Sequence, residues 1–101
     1  MTTYIVYVTH PSKKSASVIV DKLLSQKIIA CATMFSVESR YVWKGKKQSG
    51  KEWVTLLKTN KPAAVEKAAL AIHPYDVPCI LSWKVGANKS FDAWVTSTTQ
   101  P

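Results

Sequence analysis

The chain predicts an α+β domain of βαββαβ order. Three observations carry the reading. A helical apolar period sits between strand-like runs near the start; a long stretch of period two folds back across a lysine- and glycine-rich turn; and a second helical stretch ends at a His-Pro corner before a last apolar strand. Two helices over one face of a four-stranded antiparallel sheet is the split βαβ pattern of ferredoxin-like domains. With 101 residues, 11.2 kDa and 47% hydrophobic content, the sequence predicts one domain over 1–101 and excludes a disordered chain.

Tyr4 to Thr9 is a run of β-formers closed by His10-Pro11, and Ser12 behind it is a good helix N-cap. From Ser12 to Lys27, Ala16, Ile19, Val20, Leu23 and Leu24 recur at three and four residues and share one helical face. After Lys27 the period changes to two. Ala30, Ala32 and Met34 alternate with Cys31, Thr33 and Phe35, then Val37, Ser39, Tyr41 and Trp43 alternate with Glu38, Arg40 and Val42. This is one long strand, or two joined by a bulge near Ser36. The turn spans Lys44 to Lys51, and Glu52 to Thr59 returns, giving an extended hairpin of about eight residues per arm.

Asn60 is the expected cap of the second helix, with Pro62 in its first turn, where a missing N–H costs nothing. Val65, Ala68, Ala69 and Ile72 give it a small packing face. Each proline fixes its own φ and pushes the residue before it out of the helical region, so His73 ends the helix and Val77 is already extended. That stiff corner presents His73, Tyr75 and Asp76. Val77 to Val85 reads as the fourth strand, with Pro78 admissible at an edge or a strand start, and Ser90 to Val95 as a short C-terminal helical turn before a frayed tail.

The split βαβ connection puts Cys31 and Cys79 on opposite sheet edges, roughly 14 Å apart at about 4.8 Å per strand, too far for a disulfide within the chain. Reduced thiols and a cytoplasmic location follow as expectations. No apolar run approaches the roughly 20 residues that cross a bilayer, so no membrane insertion is expected. The net charge of +8 comes from 13 lysines and Arg40 against six acids. Such a balance raises nucleic acid as a partner. An RNA recognition module shares the element order, but Trp53 to Thr59 lacks the exposed aromatic run of such modules, which argues against sequence-reading RNA binding.

One face of the sheet has no helix to cover it, and the hairpin outreaches the helices. Tyr41, Trp43 and Trp53 would each bury on the order of 150–250 Å² if packed, so self-association into a closed ring is the expected outcome. Possible metal ligands are His73, His10, Cys31, Cys79, Asp76 and Glu52, and none forms a close-spaced metal motif. No Ser-His-Asp order, paired carboxylates or phosphate loop points to catalysis, so no enzyme is expected. Tyr41, Trp43, Lys58 and Tyr75 could line a cleft between subunits, with Lys58 meeting an anionic effector.

Val6-Tyr7-Val8-Thr9 with Pro11-Ser12, Ile28-Ile29-Ala30-Cys31, Tyr41-x-Trp43-x-Gly45, Lys58-Thr59, His73-Pro74-Tyr75 with Val77-Pro78, and Phe91 to Val95 occur in the order of the CutA family's motifs. The chain resembles that family over nearly its whole length. The resemblance implies a PII-like homotrimer, a role in tolerance of copper and other divalent cations, and no obligatory cofactor. It also implies an alternative, effector binding or PII-like signalling at clefts between subunits. The residues themselves offer His73, Cys79 and Cys31 as candidate metal ligands, and Tyr41, Trp43, Glu52, Lys58, Tyr75, Asp76 and Trp94 as a candidate inter-subunit pocket. Two departures stand out. Cys79 occupies a position that is usually glutamate in the family, and a basic surface, about +24 for a trimer, replaces an often acidic one.

Overall fold

In a computed structural model that describes residues 2–100, the chain runs β1 (Thr3–His10), α1 (Lys13–Ser25), β2 (Cys31–Trp43), β3 (Lys46–Thr59), α2 (Pro62–Ile72), β4 (Ile80–Val85) and α3 (Lys89–Thr98). All strand pairs are antiparallel, in the order β2-β3-β1-β4. The ferredoxin-like reading therefore holds, and Cys31 and Cys79 are free thiols at opposite edges of the sheet.

Helix α1 starts where Ser12 Oγ accepts the Ser15 N–H, 3.1 Å away. Its buried stripe of Ala16, Ile19, Val20 and Leu23 packs with Val65 and Ala69 of α2 on Val6, Val8 and Leu57 of the sheet. Leu24 stays 41% exposed at the edge of that stripe. The α2 cap differs from expectation. Lys61 is the N-cap residue, without a side-chain cap bond, while Asn60 Oδ1 accepts the Thr99 hydroxyl at 2.7 Å.

The hairpin is longer than its sequence suggests. Its register is unbroken from Cys31↔Lys58 to Trp43↔Lys46, without a bulge at Ser36, and only Lys44 and Gly45 form the turn. Both have positive φ, +50° and +76°, as a type I′ turn requires. Gly50, one of two apparent turn glycines, lies inside β3 opposite Ser39. A Cβ on Gly45 would meet nothing within 4 Å, so its cost is backbone strain alone. Gly45→Ala should therefore lower stability by about 1 kcal/mol, and Lys44→Asn should raise it by roughly 0.5 kcal/mol, both read from urea unfolding midpoints.

The chain's end is more ordered than expected. Helix α3 buries Val95, the Thr96 hydroxyl donates to the Asp92 carbonyl, and Thr99 is fully buried. Strand β4 begins at Ile80, three residues later than expected, which leaves Pro78 before the strand, where it removes no ladder bond. Among the described residues no helix is long and apolar enough to cross a membrane.

Strand parity divides the side chains. Val6, Val8, Thr55 and Leu57 face the helices; Ile5, Tyr7, Val54, Leu56, Phe35, Leu81 and Trp83 share the other face. Neither α1 nor α2 covers that second face. Phe35, Leu81 and Trp83 are 40%, 55% and 44% exposed there.

Candidate functional site

The corner after α2 is held by a histidine with both ring nitrogens occupied. His73 closes the helix in an extended conformation, ψ 136°. Its Nε2–H donates to the Thr9 carbonyl at 2.8 Å, and Nδ1 accepts the Tyr75 N–H at 3.1 Å. This pattern fixes the neutral tautomer, so His73 works as a structural clasp.

The His10 ring stacks on that of His73, with centroids 5.5 Å apart and planes 23° from parallel. His10 is fully buried, 2.8 Å from Thr55 Oγ1 through Nε2, and its Nδ1 has no partner among the described residues. Burial and the neighbouring His73 push its pKa down to about 4, while Glu52 pulls the other way. Parity with Val6 and Val8 is the sequence signal that places His10 in the core rather than among metal ligands.

Tyr75 leans on His73, centroids 4.8 Å apart, and its hydroxyl donates to Glu52 Oε2 at 2.6 Å. Burial, this bond and the Glu52 charge raise the phenol's pKa well above its ordinary value. Cys79 is half-buried, and burial together with Glu52 also pushes its thiol up, which keeps it protonated at neutral pH. The bond ties the corner to β3. Between corner and hairpin lies a cleft of about 740 Å³, lined by Tyr7, Tyr41, Trp43, Tyr75 and Leu81 with Glu52, Asp76 and Cys79.

Six of the sequence-derived site residues thus meet: Tyr41, Trp43, Glu52, Tyr75, Asp76 and Cys79. Two expected pocket residues do not. Lys58 shares the open face but stands six residues from Glu52 along β3, about 20 Å at the rise of a strand, where its Nζ donates to Thr33 Oγ1. Trp94 lies on α3 against Phe91, ring centroids 5.7 Å apart, outside the lining. Without Lys58 the cation expected to meet an anionic effector is missing; Arg40 belongs to the lining, but the register turns its side chain to the hairpin's other side, where it pairs with Glu38 at 3.0 Å. The cleft suits a positive ligand.

The proposed metal set is not assembled within one chain. Cys31 and Cys79 sit at opposite edges, His73 spends both nitrogens, and no three His, Cys, Asp or Glu side chains cluster among the described residues. Tyr7 and Leu81 are lining residues that sequence reasoning missed; β1–β4 pairing sets them side by side.

The family model for the CutA1 divalent ion tolerance protein matches residues 4–98. The chain belongs to the CutA1 family. Among relatives, the divalent-cation tolerance protein CutA of Thermotoga maritima is 37% identical over 83 residues, 80% of this chain and 82% of that one. The corresponding protein of Archaeoglobus fulgidus is 33% identical over 98 residues, 94% and 96% of the two chains. Its solved structure, described as that of a periplasmic divalent cation tolerance protein, superposes with a TM-score of 0.93 over 97% of this chain and 99% of that one. The crystal structure of CutA1 from Pyrococcus horikoshii gives 0.92 at 34% identity, covering 97% and 99%. The CutA fold and the divalent-cation tolerance family are thereby established for this chain.

Proposed function

We propose that the chain acts in divalent-cation tolerance as a cytoplasmic homotrimer that meets copper or another divalent metal ion at the cleft between hairpin and His73 corner. One observation supports this most: Glu52, Asp76 and Cys79 line one cleft, while the Arg40 side chain points to the hairpin's other side and pairs there with Glu38. The uncovered sheet face supports assembly, because Phe35, Leu81 and Trp83 are apolar and need cover. Among the described residues no three such side chains come close enough to hold one ion together, so this reading has a neighbouring subunit complete the coordination.

Cys79 as a thiolate is a soft donor that favours Cu(I). Its thiol is protonated at neutral pH, so the metal must displace a proton, and affinity should rise about tenfold per pH unit for one proton released. Calorimetric titration of the reduced protein with Cu(I) and Cu(II) tests the site. Cys79→Ser and Glu52→Gln should abolish or strongly weaken binding while Cys31→Ser leaves it intact. Unchanged affinity in Cys79→Ser would remove the cleft from metal handling.

A second reading is favoured by the walls. Tyr7, Tyr41, Trp43 and Tyr75 beside two carboxylates suit an organic effector with a positive group, in a PII-like signalling role without direct metal handling. Neither reading assigns catalysis. His73 has no free nitrogen to act as a base, and Cys79 is held in its unreactive protonated form.

A further inference from the structure

The hairpin has a second face, opposite the cleft. Its register points Arg40, Glu38, Lys47 and Lys51 to the side that the helices cover further along the sheet. All four are exposed. Trp53 continues the row, with Lys13 Nζ of α1 over its ring at 5.6 Å from the centroid; Lys44 at the turn lies instead over Trp43, on the cleft side. Four cations, Arg40, Lys47, Lys51 and Lys13, thus meet one acid, Glu38, which is itself bonded to Arg40 at 3.0 Å. Solubility would be served by charges spread apart. Lining them along one side of a rigid ribbon adds mutual repulsion that a polyanion laid along it relieves.

We propose that this strip binds the phosphate backbone of a nucleic-acid duplex without reading its sequence. From Lys47 to Trp53 it runs about 20 Å at the rise of a strand. One strand of a duplex presents a phosphate about every 3.4 Å of axis, so the strip spans roughly six. Backbone contact needs charge and no stacking aromatics, so the absence of an RNA-module signature does not weigh against it. A lipid surface fits less well. Membrane-surface elements insert apolar residues between their cations, and on this face only Val42, 69% exposed, stands free for that: Trp53 is partly buried beneath Lys13, and Tyr41 and Trp43 point to the other face.

Fluorescence anisotropy of a labelled 20-base-pair DNA duplex of arbitrary sequence, titrated with the intact protein at 50–200 mM KCl, tests the strip. With four phosphates neutralised, affinity should fall ~150-fold across that salt range. The Arg40→Gln, Lys47→Gln, Lys51→Gln variant should lose about three from the log–log salt slope. A variant with the same charge change elsewhere, Lys22→Gln, Lys67→Gln, Lys89→Gln, should keep the parent slope. Lys51→Gln alone should lower the slope by about one, and serves if the triple variant changes oligomeric state. Equal losses in the two triple variants would overturn the proposal, because net charge rather than the strip would then be at work. So would failure of the parent to bind duplex at 50 mM KCl, whether or not phosphatidylserine vesicles bind. The strip and the cleft lie on opposite faces, so the copper titrations stand or fall separately.

Discussion

A Trp83→Glu chain should scatter light as a monomer of 11.2 kDa at concentrations where the parent has about three times that mass. Trp83 lies opposite Ile5 on the face that no helix of the βαββαβ frame covers, and it is 44% exposed beside Leu81 at 55%. Covering the remaining surface of a side chain this size contributes on the order of 2 kcal/mol per subunit. A glutamate there would be desolvated without a partner, a cost of several kcal/mol repeated at each interface. The effect is therefore all or nothing for the proposed trimer. Trp83 is not among the residues of the buried core, so circular dichroism should show the subunit still folded. Lys84→Glu, next to it on the opposite face, should stay assembled. Retained mass in Trp83→Glu would refute the open face as the assembly surface.

Acid should weaken the fold through His10. In the folded chain its pKa is about 4, against 6.5 for an ordinary histidine. Between those values the unfolded chain takes up a proton that the native chain refuses, so stability is complete above pH 6.5 and falls as pH drops toward 4. The loss over that window is about 3 kcal/mol, a large share of the roughly 5–15 kcal/mol that holds a domain together. The physical origin is local. Protonation would place an N–H on Nδ1, which has no acceptor, against the stacked ring of His73. Urea unfolding at pH 7, 5.5 and 4, at one fixed protein concentration, should show the decline, and His10→Gln should flatten it. A parent protein as stable at pH 4.5 as at pH 7 would contradict this assignment.

The frame was legible because each element announces its period. Ala16, Ile19, Val20 and Leu23 could only share a helix face, and the switch to alternation after Lys27 could only be a strand. The hairpin tip was misjudged because lysines are poor strand formers and Gly50 imitates a turn; pairing with β2 overrides both preferences. Helix α3 outran expectation for a similar reason. Its Thr-Ser-Thr end is weak in isolation, but the buried Val95, the Thr96 hydroxyl bonded to the Asp92 carbonyl and the Thr99 N–H bonded to the Val95 carbonyl hold it.

The cleft was half legible. Motifs singled out Tyr41, Trp43, Tyr75 and Asp76, but the bond from Tyr75 to Glu52 joins residues 23 apart in sequence, and no local pattern reveals it. Lys58 was placed on the correct face and at the wrong end, since parity gives a side and says nothing of distance along the strand.

Strand β2 stands at the rim of the sheet with thirteen residues of backbone bonded on one side only. A newly made subunit therefore carries a bare ladder on which any extended peptide can settle, its own siblings included. Correct closure and fibril seeding compete for the same row of amides. Heating that parts the proposed trimer should consequently end in cross-β deposits rather than in a recoverable coil, and the lysines near the tip would act as gatekeepers that slow that fate.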